Sequence, residues 1–407
     1  HLPVANKQGH PIRSYKVLTN MVSMALKQVS FTACSASHSR VAPSARGSQT
    51  FAVRPVVAGS QRHVRRSATL KFAPGKTASD FYGQTANFQT RNVCKKASVS
   101  GTITCSTADA KTVAVTGASG FVGSALVKHL SQQGYKVKVL ARSASSRYSM
   151  PYTGVEIVQF RDWERAICGC SAVVNLAGEP ISTRWTPGIK REIMDSRLRV
   201  TDRLAAAINA CSEETRPAVF VSASALGFYG ASETGSFDET SGPGNDYLAK
   251  VCIGWEKSAK AAQTSRTVIL RLGIVLAKEG GALAKMLPIF QLGAGGPLGT
   301  GNQWFSWVHM DDVIGLIMEA LTSTSMEGVY NATAPKPVRM NAMCKALGNA
   351  VARPSWLPVP EFALQAILGE GASVVLEGQQ VLPKRTMESG YKHKYATIDQ
   401  AVRAILK

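Results

Sequence analysis

Acidic residues are scarce in this sequence, and their scarcity is uneven. Residues 1–108 contain 15 Lys and Arg but a single acid, Asp80, and therefore carry +14 of the total charge of +21. Strong positive charge on a folded body is typical of nucleic-acid-binding proteins. Because two thirds of the charge lies at one end of the chain, we predict no nucleic-acid partner.

Histidine, paired cysteine and long apolar runs are also scarce. Beyond residue 108 only three histidines occur, and none of the eight cysteines belongs to a CxxC pair. No stretch approaches the roughly 18 apolar residues that a membrane-spanning helix needs. We therefore expect no metal site, no disulfide framework and no transmembrane segment.

The basic leader is rich in Ser, Ala, Thr and Arg and shows no apolar periodicity. This composition is typical of an organelle transit peptide, which must stay positive and unfolded for import. The opening MVSMALKQVSFTACSASHSR favours a chloroplast. We predict a disordered transit peptide over 21–105, preceded by an upstream extension over 1–20 that does not belong to the mature protein. The alternative is a plain disordered tail.

Short apolar runs alternate with helical patterns from Lys111 onward. The alternation predicts a doubly wound parallel sheet of the α/β class. The predicted strands cover 112–116, 137–141, 155–160, 172–177, 218–224 and 267–276. The regular alternation of strand and helix patterns ends near residue 280. We therefore predict a dinucleotide-binding domain over 106–280 and a smaller, mainly helical lobe over 281–407.

A glycine motif, GASGFVG, lies between the first strand and the first helix. Gly117, Gly120 and Gly123 suit a tight turn, a close approach of backbone to a pyrophosphate, and close packing of helix on strand. The helix that follows offers free N–H groups and the positive end of its dipole to phosphates. The alternative is a glycine-rich turn without a ligand.

The end of the second strand distinguishes between the two nicotinamide dinucleotides. NAD sites place an acid about 20 residues beyond the glycine motif to bind ribose hydroxyls, but no Asp or Glu occurs from Lys111 to Val155. Arg142 ends the strand instead, and a guanidinium can bind a 2′-phosphate bidentately. We predict NADP(H), with a solvated strand-end charge as the alternative role of Arg142.

Several segments together resemble a known superfamily. TGASGFVG, NLAG, SASALGFYG and WVHMDDV resemble the epimerase/dehydratase branch of the extended short-chain dehydrogenase/reductases, which have a Rossmann fold. NLAGEPISTRW, GPLGTGNQWFSWVHMDD and LEGQQVLPKRTMESGY are more specific and resemble the atypical thirty-nine U subgroup of epimerase family proteins. Its plant members include chloroplast division factors, and its bacterial members are described as cell-division-inhibitor-like. The resemblance covers 112–407.

The resemblance implies positions for the cofactor. In this sequence they are Gly117, Ser119, Gly120, Phe121, Val122, Gly123, Ala141, Arg142, Leu176, Ala177, Glu192, Arg197 and Val275. From the residues alone, Arg197 could equally be a surface charge on a helix.

The resemblance also points to three candidate catalytic residues. In the superfamily a tyrosine acts as acid or base beside a lysine four residues later, and a serine binds the substrate oxygen. Here Tyr247 is followed by Lys250 at a spacing of three. The lysine then lies about 60° to one side of the tyrosine, whereas a spacing of four would place it about 40° to the other side. Ser224 matches the serine. The alternatives are a core aromatic for Tyr247 and a turn-capping serine for Ser224.

Two functions therefore stay open. The first is an NADP(H)-dependent oxidoreductase or epimerase acting on a small substrate in the chloroplast stroma. The second is a non-catalytic NADP(H)-binding regulator of chloroplast division, peripherally associated with the inner envelope.

Overall fold

The computed structural model describes residues 109–142 and 150–407. The predicted upstream extension and transit peptide lie outside the described residues, so both stay predictions. No helix within the described ranges is long and apolar enough to cross a membrane.

The strands and helices are short and alternate through the first half. The strands are β1 Asp109–Thr116, β2 Lys136–Ala141, β3 Val155–Gln159, β4 Cys170–Asn175, β5 Val219–Ala225, β6 Ser236–Phe237, β7 Arg266–Leu272, β8 Ile274–Ala277, β9 Trp304–Phe305, β10 Trp307–His309, β11 Gly328–Ala332, β12 Val338–Arg339 and β13 Gln380–Val381. The α-helices are α1 Phe121–Gln132, α2 Trp163–Ile167, α3 Pro187–Ala210, α4 Tyr247–Lys260, α5 Gly281–Gln291, α6 Met310–Thr322, α7 Met340–Ala350, α8 Glu361–Leu368, α9 Ser373–Leu376, α10 Lys384–Glu388 and α11 Ile398–Leu406.

Seven strands form one parallel sheet in the order β11-β7-β5-β4-β1-β2-β3. The order reverses between β1 and β4, which creates the crevice where Rossmann folds bind ligands. The predicted doubly wound α/β fold is confirmed, and the first five predicted strands fall on β1 to β5.

The two faces of the sheet bury different residues of the same strand. Val113 and Val115 pack with the helices α1 and α6, whereas Ala114 packs on the other side with α3. Leu126 of α1 and Leu204 of α3 are fully buried, and each such leucine contributes about 1.5–3 kcal/mol to folding. Alternate residues of β1 therefore pack against the helices on opposite faces of the sheet.

The last predicted strand is wrong in its extent. The apolar run 267–276 divides at Gly273 into β7 and β8, and β8 pairs with β10 instead of joining the main sheet. A Cβ on Gly273 would lie 2.9 Å from the Ser306 carbonyl oxygen, so the close backbone approach needs glycine. Gly273 is the local sign of this break, because an isolated glycine within a strand pattern marks a bulge or a close backbone approach.

The region after residue 280 is mainly helical, as predicted. Helices α5, α7 and α11 surround the fully buried Trp307. The same region also supplies β11, which pairs with β7 at one edge of the main sheet. The domain boundary at residue 280 stays a prediction.

The prediction that the chain has no disulfide framework is wrong. A disulfide joins Cys168, which follows α2, to Cys211, which follows α3. The two residues are 43 positions apart, so only the packing of α2 on α3 brings them together.

Candidate active site

The glycine motif forms a tight loop between β1 and α1. Gly117 has a φ of +67°, a left-handed conformation that favours glycine, and its carbonyl accepts a 2.8 Å hydrogen bond from the Gly120 N–H. A Cβ on Gly117 or Gly123 would overlap backbone atoms of Leu176 or of Gly117 itself. The loop thus leaves a cradle of bare backbone at the start of α1, where N–H groups attract phosphate.

A buried polar cluster holds this loop against β4. Thr116 Oγ1 donates to Asn175 Oδ1 at 2.7 Å, and Asn175 Nδ2 donates to Thr201 Oγ1 at 2.8 Å. Asn175 Oδ1 also accepts from the Ala177 N–H at 3.3 Å. Fully satisfied buried networks of this kind rigidify their surroundings. Asn175 therefore positions the Leu176–Ala177 edge beside the glycine loop.

A cavity of about 700 Å³ opens from the glycine loop toward the C-terminal region. Most predicted site residues line it, namely Gly117, Gly120, Phe121, Val122, Gly123, Leu176, Ala177, Arg197, Ser224, Tyr247 and Val275. The structure thus brings the cofactor candidates and two of the three catalytic candidates to one place.

Five predicted residues do not line this cavity: Ser119, Ala141, Arg142, Glu192 and Lys250. Ala141 is fully buried in β2, whereas the other four are exposed. Arg142 lies at the end of β2, where its Nη2 is 3.0 Å from Glu179 Oε1. The roles of these residues in binding stay predictions.

The predicted Tyr247–Lys250 pair is not formed. Lys250 is exposed on α4 between the buried residues Ala249 and Val251, about 60° around the helix axis from Tyr247. The Tyr247 hydroxyl donates to the Lys190 carbonyl oxygen, and its ring meets Trp185 edge-on at 5.2 Å. Burial raises the pKa of the Tyr247 phenol above its ordinary value, and the charge of Arg197 opposes that rise.

Arg197 is half-buried in α3, beside the cavity. Its guanidinium donates to the carbonyl oxygens of Ile193 at 2.9 Å and Glu179 at 3.0 Å. It packs against Gly178 and lies 5.2 Å from the ring centre of Trp255. Burial lowers its pKa, although an arginine in a protein stays charged. Arg197 is therefore a cation held by neutral groups next to the glycine loop, and not the surface charge that was the alternative.

Ser224 belongs to a buried ionic network that the sequence analysis missed. Its hydroxyl donates to Glu256 Oε1 at 2.8 Å, and Arg271 binds both oxygens of Glu256 at 2.7 and 2.9 Å. Arg271 Nη1 also donates to the Tyr229 hydroxyl at 2.9 Å. These residues come from β5, α4, β7 and the turn after β5, so no local spacing could reveal the network.

Comparison with known proteins agrees with this geometry. The model of the NAD dependent epimerase/dehydratase family matches residues 113–332, and a domain of unknown function, DUF1731, matches residues 359–405. The chain is 54% identical over 301 residues to the Arabidopsis thaliana epimerase family protein SDR39U1 homolog, chloroplastic, covering 73% of this chain and 87% of that protein. It is 34% identical to human epimerase family protein SDR39U1, covering 72% and 99%.

Solved structures give the same result. The crystal structure of human SDR39U1 isoform 2 with NADPH matches with a TM-score of 0.67 and 32% identity, covering 72% of this chain and 99% of that one. A nucleoside-diphosphate sugar epimerase from Corynebacterium glutamicum matches with a TM-score of 0.57 and 30% identity, covering 72% and 58%. This chain belongs to the NAD dependent epimerase/dehydratase family, among the epimerase family proteins of the SDR39U1 type.

Proposed function

We propose that this protein is an NADP(H)-dependent oxidoreductase or epimerase-like enzyme that acts on a small molecule. The observation that carries the proposal is a single cavity shared by the glycine loop, Arg197, Ser224 and Tyr247. Glycine at positions 117 and 123 lets the loop pack closely on Leu176 and on itself, because a Cβ at either position would overlap backbone atoms. A compact loop of this kind at the start of a helix is where N–H groups bind a pyrophosphate. The human relative was solved with NADPH, which supports the same cofactor here.

Each part of the site would have a defined task. The N–H groups at the start of α1 and the cation of Arg197 would bind the dinucleotide, and Arg142 would bind its 2′-phosphate. When bound, the nicotinamide supplies hydride transfer. Ser224 would orient the substrate oxygen. Tyr247 would hold or release a proton at its hydroxyl after giving up its bond to the Lys190 carbonyl.

Turnover provides the test. Purified protein is titrated with NADPH, and deuterated NADPH is then incubated with a panel of carbonyl compounds, with mass spectrometry to detect deuterium in the products. We expect tight NADPH binding and transfer to at least one compound. Tyr247→Phe should preserve NADPH affinity within about twofold and slow transfer by at least about 100-fold, since general acids contribute 10²–10⁴. An unchanged rate in Tyr247→Phe would exclude the tyrosine as the acid.

A non-catalytic NADP(H)-binding regulator of chloroplast division is the second candidate. Two observations favour it: Lys250 lies away from Tyr247, and the tyrosine hydroxyl is already bonded to a backbone carbonyl. If the titration shows tight binding but the panel shows no deuterium transfer, the regulator is supported.

We also propose that the protein acts in the chloroplast stroma or at the periphery of the inner envelope. The basic leader supports this location, and the Arabidopsis relative is named as chloroplastic. Import of the full chain into isolated chloroplasts, followed by envelope and stroma fractionation, tests it. Failure to shorten or import the chain would contradict the predicted transit peptide.

A further inference from the structure

The disulfide lies at the edge of the sheet opposite the cavity. It joins Cys168, which precedes β4, to Cys211, which follows α3. β4 then runs six residues to Asn175, whose side chain bonds to the strand that leads into the glycine loop. The two ends of such a strand lie about 20 Å apart, and neither cysteine lines the cavity. The disulfide therefore serves something other than the binding of a ligand there.

The proposed location of the protein makes a permanent disulfide unexpected. Disulfides are rare where intracellular thiol systems keep cysteines reduced, and those that form are usually transient and serve redox sensing or catalysis. This bond also closes a long loop, since its cysteines are 43 positions apart. Closing a longer loop removes more entropy from the unfolded chain. Opening and closing the bond would therefore change the stability of the fold.

The two sulfurs differ in their access to solvent. Cys168 is partly exposed, whereas Cys211 is only 4% exposed. Thiol–disulfide exchange begins when a thiolate attacks one sulfur of the bond, and this attack needs access to that sulfur. A reductant therefore reaches Cys168, and Cys211 is the residue whose sulfur leaves.

Arg216 is placed to stabilise the leaving sulfur. Its Nη2 donates to the carbonyl oxygen of Cys211 at 3.1 Å, and its Nε is buried without a hydrogen-bond partner in the described part of the chain. A cation beside a cysteine favours the thiolate, and a better-stabilised thiolate leaves faster. A thiolate on Cys211 would give the unpaired N–H a charged acceptor nearby. Glu213 and Glu214 are exposed, so solvent and salt screen their opposing charges.

A third sulfur nearby does not compete in this exchange. Cys170 follows Cys168 by two positions, is 1% exposed and donates to the Ala166 carbonyl oxygen at 3.2 Å. Burial raises the pKa of the Cys170 thiol to about 11, and the protonated thiol is not the nucleophile in disulfide exchange. The bond between Cys168 and Cys211 is therefore not passed to Cys170.

We propose that the Cys168–Cys211 disulfide is a redox modification site that a dithiol protein of the thioredoxin class opens, and that its state sets the stability of the folded chain. One thiolate of the reductant attacks Cys168 and forms a mixed disulfide, while Cys211 leaves as a thiolate. The second thiolate of the reductant attacks its own sulfur in the mixed disulfide and releases Cys168. Two electrons and two protons pass to the two cysteines, and the reductant becomes a disulfide. The proposal uses the proposed location but not the proposed activity.

Thioredoxin acting on the folded full chain tests the proposal. Purified protein is incubated with reduced thioredoxin and alkylated, and its tryptic peptides are analysed by mass spectrometry for free Cys168 and Cys211. We expect both thiols to appear without denaturant and the melting temperature to fall by about 5–15 °C. A thioredoxin variant without its second cysteine cannot complete the exchange and should stay bonded to Cys168.

Matched variants separate the disulfide and Arg216 from general effects. Arg216→Gln should slow reduction roughly three- to tenfold, because the departing thiolate loses its cation, and Arg216→Lys should restore most of the rate. Arg165→Gln removes the same charge from an exposed position three residues before Cys168 and should leave the rate close to that of the wild type. Cys168→Ser should melt at the temperature of the reduced protein and should not respond to thioredoxin, whereas Cys170→Ala should respond as the wild type does.

Three outcomes would overturn the proposal: both cysteines stay thiols in the presence of oxidised glutathione, thioredoxin leaves the bond closed in the folded chain, or reduction leaves the melting temperature unchanged. A mixed disulfide at Cys211 would contradict the assignment of the attacked sulfur. NADPH affinity, measured in both redox states, judges the proposed function separately. It should change by no more than about twofold on reduction, because Arg197 lies about 21 Å along α3 from Cys211. If NADPH binds in neither state, the proposed function is contradicted and the redox results still decide this proposal.

Discussion

The contact between Arg142 and Glu179 allows a quantitative prediction about cofactor choice. The two side chains are 58% and 39% exposed and lie 3.0 Å apart. Arg142 is positioned by the end of β2, whereas Glu179 follows β4. A 2′-phosphate at Arg142 would therefore compete with a carboxylate that already occupies the guanidinium.

The size of the effect follows from two opposing contributions. Charge-assisted hydrogen bonds to a phosphate contribute about 1.5–3 kcal/mol, and solvent exposure places this site at the lower end. Breaking the exposed pair with Glu179 costs about 0.2–1 kcal/mol. The net contribution of Arg142 is then about 0.5–1.3 kcal/mol, or roughly a two- to ninefold change in the dissociation constant of NADPH.

Two variants test this reasoning in opposite directions. Arg142→Ala should weaken NADPH binding by roughly two- to ninefold and leave NADH binding unchanged within about 1.5-fold, since NADH has no 2′-phosphate. Glu179→Gln should strengthen NADPH binding by about 1.5- to fivefold because it frees the guanidinium. Both are measured by fluorescence titration with NADPH and NADH at one fixed ionic strength. Equal losses for both nucleotides in Arg142→Ala, or weaker NADPH binding in Glu179→Gln, would refute the assignment.

Three further changes should have defined effects. Gly123→Ala places a Cβ against the Gly117 carbonyl and should cost about 1–3 kcal/mol of unfolding free energy in urea, with loss of NADPH binding; wild-type stability would contradict it. Arg271→Met leaves the buried Glu256 without its cationic partner and should lower the free energy of unfolding by about 3–5 kcal/mol in the same assay. A decrease below about 1 kcal/mol would contradict the network. Burial lowers the pKa of His309, so the unfolded chain binds protons first and stability should fall as pH drops below about 6.5. His309→Asn keeps a cap acceptor and should reduce that pH dependence, while His393, whose pKa is also lowered by burial, retains its share; an unchanged profile would contradict the prediction.

Several strands of the main sheet could be predicted because their sequences are nearly continuous apolar runs. The runs in β4 and β5 have this form, since strands covered on both faces need apolar residues at nearly every position. β3 lies at the edge of the sheet and is largely exposed, and only its Val and Ile residues indicate a strand. β11 carries Tyr330 and Asn331 within five residues and lacks that signal. It joins the sheet through its pairing with β7, a contact that no local pattern specifies.

The glycine loop could be predicted for a similar reason, and the rest of the site could not. The tasks of Gly117, Gly120 and Gly123 are local to one turn and are therefore visible in the spacing. Ser224 lies 32 positions from Glu256, and Glu256 lies 15 from Arg271. Only the folded sheet brings them together. The exposure of Lys250 could be predicted from helical phase, since it shares the exposed face of α4 with Lys257 and Lys260, away from the buried residues of that helix.

The buried network links the two halves of the chain to a single hydroxyl. Asn331 of β11 accepts from the Tyr229 hydroxyl, and its amide donates to the Leu382 carbonyl at 3.0 Å. The orientation of Ser224 therefore depends on residues from both sides of the predicted boundary at residue 280. Because each member needs its neighbour to satisfy a buried charge or dipole, removal of the Asn331 amide should weaken the bonds that hold Tyr229 and, through it, Arg271. The C-terminal region thus contributes both to this network and to the wall of the cavity.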